Sequence, residues 1–344
     1  MNEMTSALQK RFEKLSAGGD PLVRLNQLIP WKKFKPLLKK VRPQKTHGSE
    51  AGRKAFSDIL MFKILILQRL YHLSDHQMEF QIRDRLTFMR FLNLNLTDIV
   101  PDEKTIWLYR QYLVNSGKLE SLFDCFEDFL SRQGLGAKVG SIIDASIVEV
   151  PRQRNSKEDN GEIKAGQIPS SFKENPARLR QKDVDARWTQ KHHQNYFGYK
   201  NHINIDVKYK LIRKFAVTSA SQADIKSFEV LLDEKNPDKK VWADKAYRSD
   251  EIENLLIRKG YESRIHYKPR KGLWISEEHK RWNHRFSKIR ARVEHVFGFM
   301  QNSMQGLFIK SIGLARANVV IGLNNLTYNL CRYVHLASSP PMMV

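Results

Sequence analysis

Apolar residues recur every three or four positions through most of the first 135 residues, a spacing that is typical of α-helices. Ser57 and Asp58 can cap a helix over 59–71, and apolar residues on more than one of its faces predict that it is buried. Three further helices are predicted where the same spacing returns, over 77–92, 101–112 and 119–131. Residues 1–135 are therefore predicted to form an all-helical N-terminal domain.

The period of the pattern changes after the Gly-Leu-Gly sequence at 134–136, where alternating and short apolar runs replace it. Strands are predicted over 140–150, 199–207, 211–219, from Val241 onward and over 262–268, and helices over 224–234, 250–259, 277–300 and 316–334. The order β-β-β-α-β-α-β-α is that of a ribonuclease H-like domain, an α/β fold with a mixed sheet. Three strands without intervening helices exclude a simple doubly wound sheet. We predict that this domain covers 136–336 and that 337–344 form a tail.

The chain is strongly basic, with 59 Lys and Arg residues against 37 Asp and Glu residues and a formal charge of +22. This excess favours a polyanionic partner, because contacts with phosphates release condensed counterions. Other basic soluble proteins share such a charge. Two cysteines provide neither a disulfide framework nor a zinc site, and no apolar run is long and uncharged enough to span a bilayer. We expect a cytoplasmic protein without a signal peptide.

Two regions are candidates for contact with nucleic acid. The short basic helices of the first domain suit DNA binding, and a helical bundle with a solvated basic face fits their pattern equally well. The basic stretch 30–42 fits either a phosphate contact or a surface loop. Residues 151–195 are charged and contain few large apolar side chains. We interpret this segment as a mobile basic loop that becomes ordered on DNA.

Three acids are candidates for a catalytic metal site. Asp144 lies on the first predicted strand, Asp244 at the end of the Val241 strand, and Glu294 on the long helix that crosses the sheet. Three carboxylates can hold two Mg²⁺ or Mn²⁺ ions roughly 3.5–4 Å apart, which is the arrangement for in-line attack on a phosphodiester. Each acid also has a structural explanation: a strand-end hydrogen bond, a helix N-terminal acid, or an ion pair with Arg290.

Other side chains are candidates for DNA binding or catalytic support because they are cationic or aromatic and lie near these acids or on a neighbouring strand: Arg290, His295, Lys200, His202, Lys245 and Trp188. Arg290 lies one helical turn before Glu294, where it can orient the glutamate, grip a phosphate or form a plain ion pair. Lys200 and His202, on a strand next to the Asp144 strand, are candidates for phosphate contacts, and Trp188 can stack on an unpaired base or anchor its own loop. The spacing of the histidines does not predict a zinc site.

Several sequence blocks, taken in order, resemble those of bacterial insertion-sequence transposases of the IS5 type, within the IS4/IS5 superfamily of DDE transposases. The N-terminal blocks are LSDHQME (73–79) and VPDEKTI (100–106). The later blocks are IDASIVEVP (143–151), DARW (185–188), GYKNH (198–202), ADKAY (243–247) and RARVEHVFG (290–298). The resemblance covers nearly the whole chain.

The resemblance implies that Asp144, Asp244 and Glu294 are the catalytic triad. It also implies binding to the terminal inverted repeats of an element, cleavage that frees 3′-hydroxyls, strand transfer into target DNA, and a dimer or larger assembly. The related IS4 branch carries a Tyr-Arg-Glu-Lys signature, but here Ser287 and Gln301 stand at the Tyr and Lys places. The roles of that Tyr and Lys are therefore not transferred to this chain.

Three hypotheses follow for function. The first is an active DDE transposase, an enzyme that cleaves DNA ends and joins them to target DNA. The alternatives are a ribonuclease H-like metal-dependent nuclease that cuts without joining, and a transposase-derived DNA-binding protein without catalysis.

Overall fold

The computed structural model describes residues 3–43, 54–269 and 274–338. The chain divides into two compact units: a helical unit of Met1–Phe129 with Leu326–Val344, and a sheet unit of Leu130–Asn325. The helical region is thus followed by a mixed-sheet α/β domain, as expected. The prediction placed the last helix wholly in the second domain, whereas the observed division falls within it, at Leu326. Among the described residues, no helix is long and apolar enough to cross a membrane.

In the described residues before the sheet unit there are eight helices: α1 Glu3–Ala17, α2 Pro21–Leu28, α3 Trp31–Leu38, α4 Asp58–Leu70, α5 Asp75–Asp84, α6 Leu86–Leu92, α7 Glu103–Ser116 and α8 Leu119–Leu130. Helix α4 is buried from Met61 to Gln68, as its apolar pattern predicted. Its one lysine, Lys63, donates hydrogen bonds to the side chain of Asn26 and the carbonyl of Phe91, and burial lowers the pKa of Lys63 to about 8.

Two predictions for this unit need correction. The single helix predicted over 77–92 is two helices, because the chain leaves the helical conformation at Arg85, whose guanidinium lies over Tyr71 and Phe88. Met78 and Ile82 on α5 and Phe88 and Met89 on α6 are all buried, so the hydrophobic period continues across the break and does not reveal it. The basic stretch 30–42 is largely a helix rather than a loop: Phe34 and Leu38 on α3 are buried while its lysines are exposed.

The part of the sheet unit that the structure describes contains six strands: β1 Ser141–Glu149, β2 Arg187–Lys191, β3 Gln194–Asp206, β4 Ile212–Ser219, β5 Lys240–Ala243 and β6 Glu262–Ile265. They pair in the order β2-β3-β1-β5-β6, with β4 also on β3. Strand β3 is antiparallel to β1, β2 and β4, whereas β5 is parallel to both β1 and β6. The sheet is therefore mixed, and its parallel part is confined to β1, β5 and β6.

Helices cover both faces of this sheet. On one face, Ile143, Val241 and Ile265 pack against Phe228 and α12 (Asp250–Arg258). On the face that carries Asp144, α13 (Glu277–Asn302) packs against β1 and β5. Val148 and Tyr199 pack against the first part of α14 (Leu314–Ser338). The long helix α13 begins at Ser276, whose hydroxyl accepts the His279 N–H, and Glu277 and Glu278 follow in the first turn.

The segment 151–195, predicted as a loop, instead contains three short helices and strand β2: α9 Lys157–Lys164, α10 Ser170–Lys173 and α11 Pro176–Leu179 precede the strand. Buried polar groups hold it, in addition to buried Ile163 and Phe172. Asp159 accepts a hydrogen bond from the Ser171 hydroxyl. Asp183 accepts hydrogen bonds from the Tyr199 hydroxyl and the Gly313 N–H. The segment was predicted as a loop because it has few apolar residues. Polar contacts hold it instead, and such contacts produce no periodic apolar pattern in the sequence.

Two further predictions are corrected in the second domain. In place of the helix predicted over 224–234 the chain makes two 3₁₀ turns, Asp224–Ser227 and Glu229–Leu231. Phe228 and Leu231 are buried three residues apart, which fits a helix with three residues per turn. Strand β6 ends at Ile265 rather than at 268, because the Asn283 side chain on α13 hydrogen-bonds both the N–H and the carbonyl of Tyr267.

Candidate active site

Three polar residues form a row across the parallel part of the sheet. Ile143 on β1 pairs with Ala243 on β5, and Ala243 pairs with Ile265 on β6. The next residue in each segment is Asp144, Asp244 and His266. Because neighbouring strands lie about 4.8 Å apart, in-register pairing brings these side chains close together. We call this set the edge row, since β5 and β6 both end immediately before it.

Asp144 is held between a backbone amide and an arginine. Its Oδ1 accepts the Ala145 N–H at 2.8 Å, and its Oδ2 accepts Nη1 of Arg290 at 2.9 Å. The side chain is 19% exposed. Burial raises the pKa of Asp144, as does the negative charge of Asp244, while Arg290 and Lys191 act in the opposite direction. Asp144 is thus a confined carboxylate with a second acid beside it.

Asp244 is the more exposed aspartate, with 40% of its side chain accessible. It caps the 3₁₀ turn Lys245–Tyr247, and its Oδ1 accepts the Lys245 N–H at 2.7 Å. Nδ1 of His266 lies 3.6 Å from the same oxygen, a polar contact that is longer than an ordinary hydrogen bond. His266 has the largest effect on the pKa of Asp244, which is lowered to about 2 against the opposing effect of burial. The Lys245 N–H and the charge of Arg290 add to the lowering.

Helix α13 brings Arg290 and Glu294 to the edge row. Val293 and Val296 are buried on this helix and fix its packing. Arg290 lies one turn before Glu294, and its Nη2 is 3.8 Å from Glu294 Oε1. Glu294 is 67% exposed, and its contact with Arg290 links it to Asp144, which binds the same guanidinium. The sequence predicted that Arg290 and Glu294 lie near each other, but not that Arg290 binds Asp144.

The donor atoms of this site suit Mg²⁺ or Mn²⁺, which bind carboxylates together with waters and substrate oxygens. Asp144 and Asp244 repel each other, and a divalent cation between them relieves that repulsion. In the described ranges, however, no three His, Cys, Asp or Glu side chains converge tightly enough to hold a metal ion. The guanidinium of Arg290 contacts both Asp144 and Glu294.

The other predicted residues lie in different environments. Lys200 pairs with Ile147 and His202 with Ala145, so both are directed to the sheet face opposite Asp144. Lys200 Nζ donates to Asp224 at 2.8 Å, and buried His202 contacts the Thr218 hydroxyl through Nε2 at 2.8 Å. The structure therefore ties both to a structural cluster on that face and does not bring them to the edge row, contrary to the suggestion that they contact phosphate.

Lys245 and His295 are exposed directly beside Asp244 and Glu294. Trp188 lies on β2, with 47% of the residue exposed, its ring 5.2 Å from that of Phe197 and the Arg152 guanidinium 5.6 Å above it. The tryptophan is thus about half exposed while Phe197 and Arg152 contact its ring, which fits both roles suggested for it.

Sequence reasoning missed His266. The predicted strand 262–268 enclosed this residue, whereas the observed strand ends one residue before it. The signal that was available is positional: His266 directly follows the last residue of a strand, Ile265, as Asp244 follows Ala243. Polar residues at the carboxyl ends of parallel strands lie at the same edge of a sheet, where α/β proteins bind their ligands.

Residues 136–330, more than half of the chain, match the family described as "Transposase DDE domain", and residues 10–112 match "Transposase domain (DUF772)". The chain therefore belongs to the DDE transposases, enzymes of insertion sequences that act on DNA. Membership implies DNA as a partner and divalent metal as a cofactor. The two matches fall on the helical region and on the mixed-sheet region, in the order expected from the resemblance.

Proposed function

We propose that this chain is an IS5-type transposase whose catalytic residues are Asp144, Asp244 and Glu294. The observation that carries the proposal is the edge row, where two aspartates lie side by side on adjacent parallel strands. Helix α13 adds Arg290, which binds Asp144 and contacts Glu294 on the same helix. The pairing order β4-β3-β1-β5-β6, with β3 antiparallel to β1, supports a ribonuclease H-like fold to which β2 is added.

The substrate is double-stranded DNA, specifically the terminal inverted repeats of the element and then a target. The formal charge of +22 supports the electrostatic part of this binding. Exposed Lys245 beside Asp244 is suited to a backbone phosphate near the cut, and Trp188 to an unpaired base. We further propose that two or more protomers pair the element ends, and that the protein acts on nucleoid DNA in the cytoplasm.

Asp144, Asp244 and Glu294 would hold two Mg²⁺ or Mn²⁺ ions. These ions would activate an attacking oxygen and stabilise a leaving oxygen. The chain prepares this binding in three ways. His266 and the Lys245 N–H lower the pKa of Asp244 to about 2, which means that they stabilise its carboxylate in the ionised form that a cation binds. Arg290 fixes Oδ2 of Asp144 and reduces the repulsion between the two aspartates. Glu294 is exposed and remains able to move inward.

Cleavage and joining of labelled element ends test this proposal. One substrate is an intact end, a second is a pre-cleaved end with a 3′-hydroxyl, and a third is the same end with a 3′-deoxy terminus, which cannot join. We expect the wild type to cut the first and join the second with Mg²⁺ or Mn²⁺. Asp144→Asn, Asp244→Asn and Glu294→Gln should each lose about a hundredfold or more in rate. Glu278→Gln, which changes an exposed acid on the same helix, should not.

Other outcomes select among the alternatives. Retention of metal-dependent cutting by all three acid variants would remove the site assignment. Cutting of intact ends without joining of the 3′-hydroxyl end would indicate a nuclease. Salt-sensitive binding to DNA without any cutting would indicate a transposase-derived DNA-binding protein.

A further inference from the structure

His266, the third member of the edge row, is less exposed than either aspartate. The residue is buried, and its backbone N–H donates to the Ala243 carbonyl at 3.2 Å. Its ring lies nearly parallel to that of Phe286, with the ring centres 6.3 Å apart. The ring is thus placed by β5 on one side and by α13 on the other.

Hydrogen bonds to α13 set the direction of the imidazole. Nε2 lies 3.3 Å from the hydroxyl oxygen of Ser287, and that hydroxyl is 2.9 Å from the Asn283 carbonyl. The Asn283 side chain binds both the N–H and the carbonyl of Tyr267, the next residue in the chain. With Nε2 directed at Ser287, Nδ1 is directed at Asp244, and the neutral ring carries its proton on Nδ1 when the Ser287 hydroxyl turns to donate to Nε2. Ser287 stands where the related branch has tyrosine, so this contact is a property of this chain's own residues.

The contacts of Asp244 fall on one of its two oxygens. Among the described residues, the Lys245 N–H and His266 Nδ1 both approach Oδ1, at 2.7 and 3.6 Å. Oδ2 is therefore the oxygen best placed to meet a cation. A carboxylate held by one oxygen presents the other in a defined direction, and partners that orient metal ligands in this way strengthen metal binding.

We propose that His266 is a positioning residue, which orients the Asp244 carboxylate for divalent metal and couples that orientation to α13 through Ser287. This inference rests on the proposed function, because it takes Asp244 as a metal ligand. The helix that carries Arg290 and Glu294 thereby also sets the second aspartate, so that all three acids are adjusted together. His266 itself does not contact the reacting atoms.

Metal binding by the full chain without DNA tests this proposal directly. Mn²⁺ is titrated into the protein and the free ion is measured by electron paramagnetic resonance, at one pH and with folding checked by circular dichroism. His266→Ala should weaken the Asp244-dependent Mn²⁺ binding by about 10–100-fold. Ser287→Ala should weaken it less, since it frees the ring but keeps Nδ1. His284→Asn, at an exposed position on α13, should leave binding unchanged.

Two amide variants separate positioning from packing. Asparagine places its N–H near the position of Nδ1, whereas glutamine places its N–H near the position of Nε2, toward Ser287. His266→Asn should therefore recover most of the Mn²⁺ affinity, and His266→Gln should resemble His266→Ala. If alanine prevents folding, the asparagine and glutamine variants alone carry this test.

Each contrary result has a distinct meaning. If Asp244→Asn, made in the otherwise wild-type protein, binds Mn²⁺ as the wild type does, Asp244 is not a ligand. The proposed function then fails as well. If Asp244→Asn abolishes binding while His266→Ala keeps wild-type affinity, only the positioning role is overturned. Equal effects of asparagine and glutamine would likewise overturn it, because packing alone would then explain the loss.

Discussion

Two aspartate–arginine pairs in the sheet unit have the same hydrogen-bond length but different surroundings. Asp206 and Arg213 are buried, with 0% and 2% of their side chains exposed, and lie on either side of the turn between β3 and β4. Asp144 and Arg290 are 146 positions apart and partly open to solvent. In both pairs an arginine Nη atom donates to Oδ2 of the aspartate at 2.9 Å. Burial raises the pKa of both aspartates.

The difference lies in what else each carboxylate meets. Asp206 also accepts the N–H groups of Tyr209 and Leu211, so both of its oxygens hold the turn. Asp144 has one backbone donor and a second acid, Asp244, beside it. A carboxylate whose hydrogen bonds are all supplied by its own turn stabilises the fold. A carboxylate that faces another acid gains more from an added cation, and this is why we assign catalysis to Asp144 rather than to Asp206.

The largest expected effect on stability is at the buried pair. Asp206→Asn should lower the free energy of unfolding by about 3–5 kcal/mol, because it leaves the Arg213 guanidinium charged in the interior without its carboxylate. Denaturant unfolding measures the change, and Asp144→Asn provides the matched control. A loss at position 144 as large as that at 206 would contradict the distinction between the two pairs.

The two faces of the sheet also differ in their histidines. His266 belongs to the edge row, whereas His202 is fully buried on the opposite face. Burial lowers the pKa of His202 to about 4 in the folded protein, against 6.5 for an ordinary histidine. The unfolded chain therefore binds the proton more strongly, and stability that is complete above pH 6.5 is lost as the pH falls toward 4. We expect His202 to contribute roughly 3 kcal/mol to this loss.

The measurement is the free energy of unfolding between pH 4 and pH 7 in the wild type and in His202→Gln. Glutamine keeps a polar nitrogen near Nε2 and Thr218 but does not titrate. The glutamine variant should show a smaller pH dependence. Parallel curves for the two proteins would show that His202 is not buried as a neutral ring.

A moderate effect is expected at Arg290. Arg290→Lys keeps the charge, but an ammonium group cannot bind Asp144 and contact Glu294 at once as the guanidinium does. The variant should slow end joining by about tenfold, which corresponds to about 1.4 kcal/mol of activation free energy. Arg281→Lys, at an exposed position on the same helix, is the control. Equal rates for the two variants would mean that Arg290 supplies charge alone.

The smallest effect is expected at Lys200. Its ammonium group is occupied by Asp224 and the Gln222 carbonyl. Lys200→Ala should therefore cost about 1 kcal/mol of stability and leave DNA affinity nearly unchanged. Fluorescence anisotropy with end DNA at fixed salt measures the affinity. A clear loss of affinity together with a smaller salt dependence would restore the phosphate contact suggested from the sequence.

Local pattern and strand position predicted most of the parts from which the site is built. The helical region, β1, β5, α12 and α13 lie close to their predicted positions, and Asp144 and Asp244 are adjacent because apolar strands precede both. Contacts between distant residues were not predictable in this way. The Asp144–Arg290 pair, the end of β6 before His266 and the polar anchors of 151–195 all depend on partners far along the chain.

Joining of a pre-cleaved 3′-hydroxyl end by Asp144→Asn and Asp206→Asn, compared per folded molecule, tests the central claim most directly. Both variants replace an arginine-paired aspartate in the same domain, so loss of charge and of an ion pair is common to them. We predict that Asp144→Asn loses about a hundredfold or more in joining rate while Asp206→Asn, at a temperature where it remains folded, joins nearly as the wild type does. Wild-type joining by Asp144→Asn would contradict the assignment of the edge row as the catalytic site.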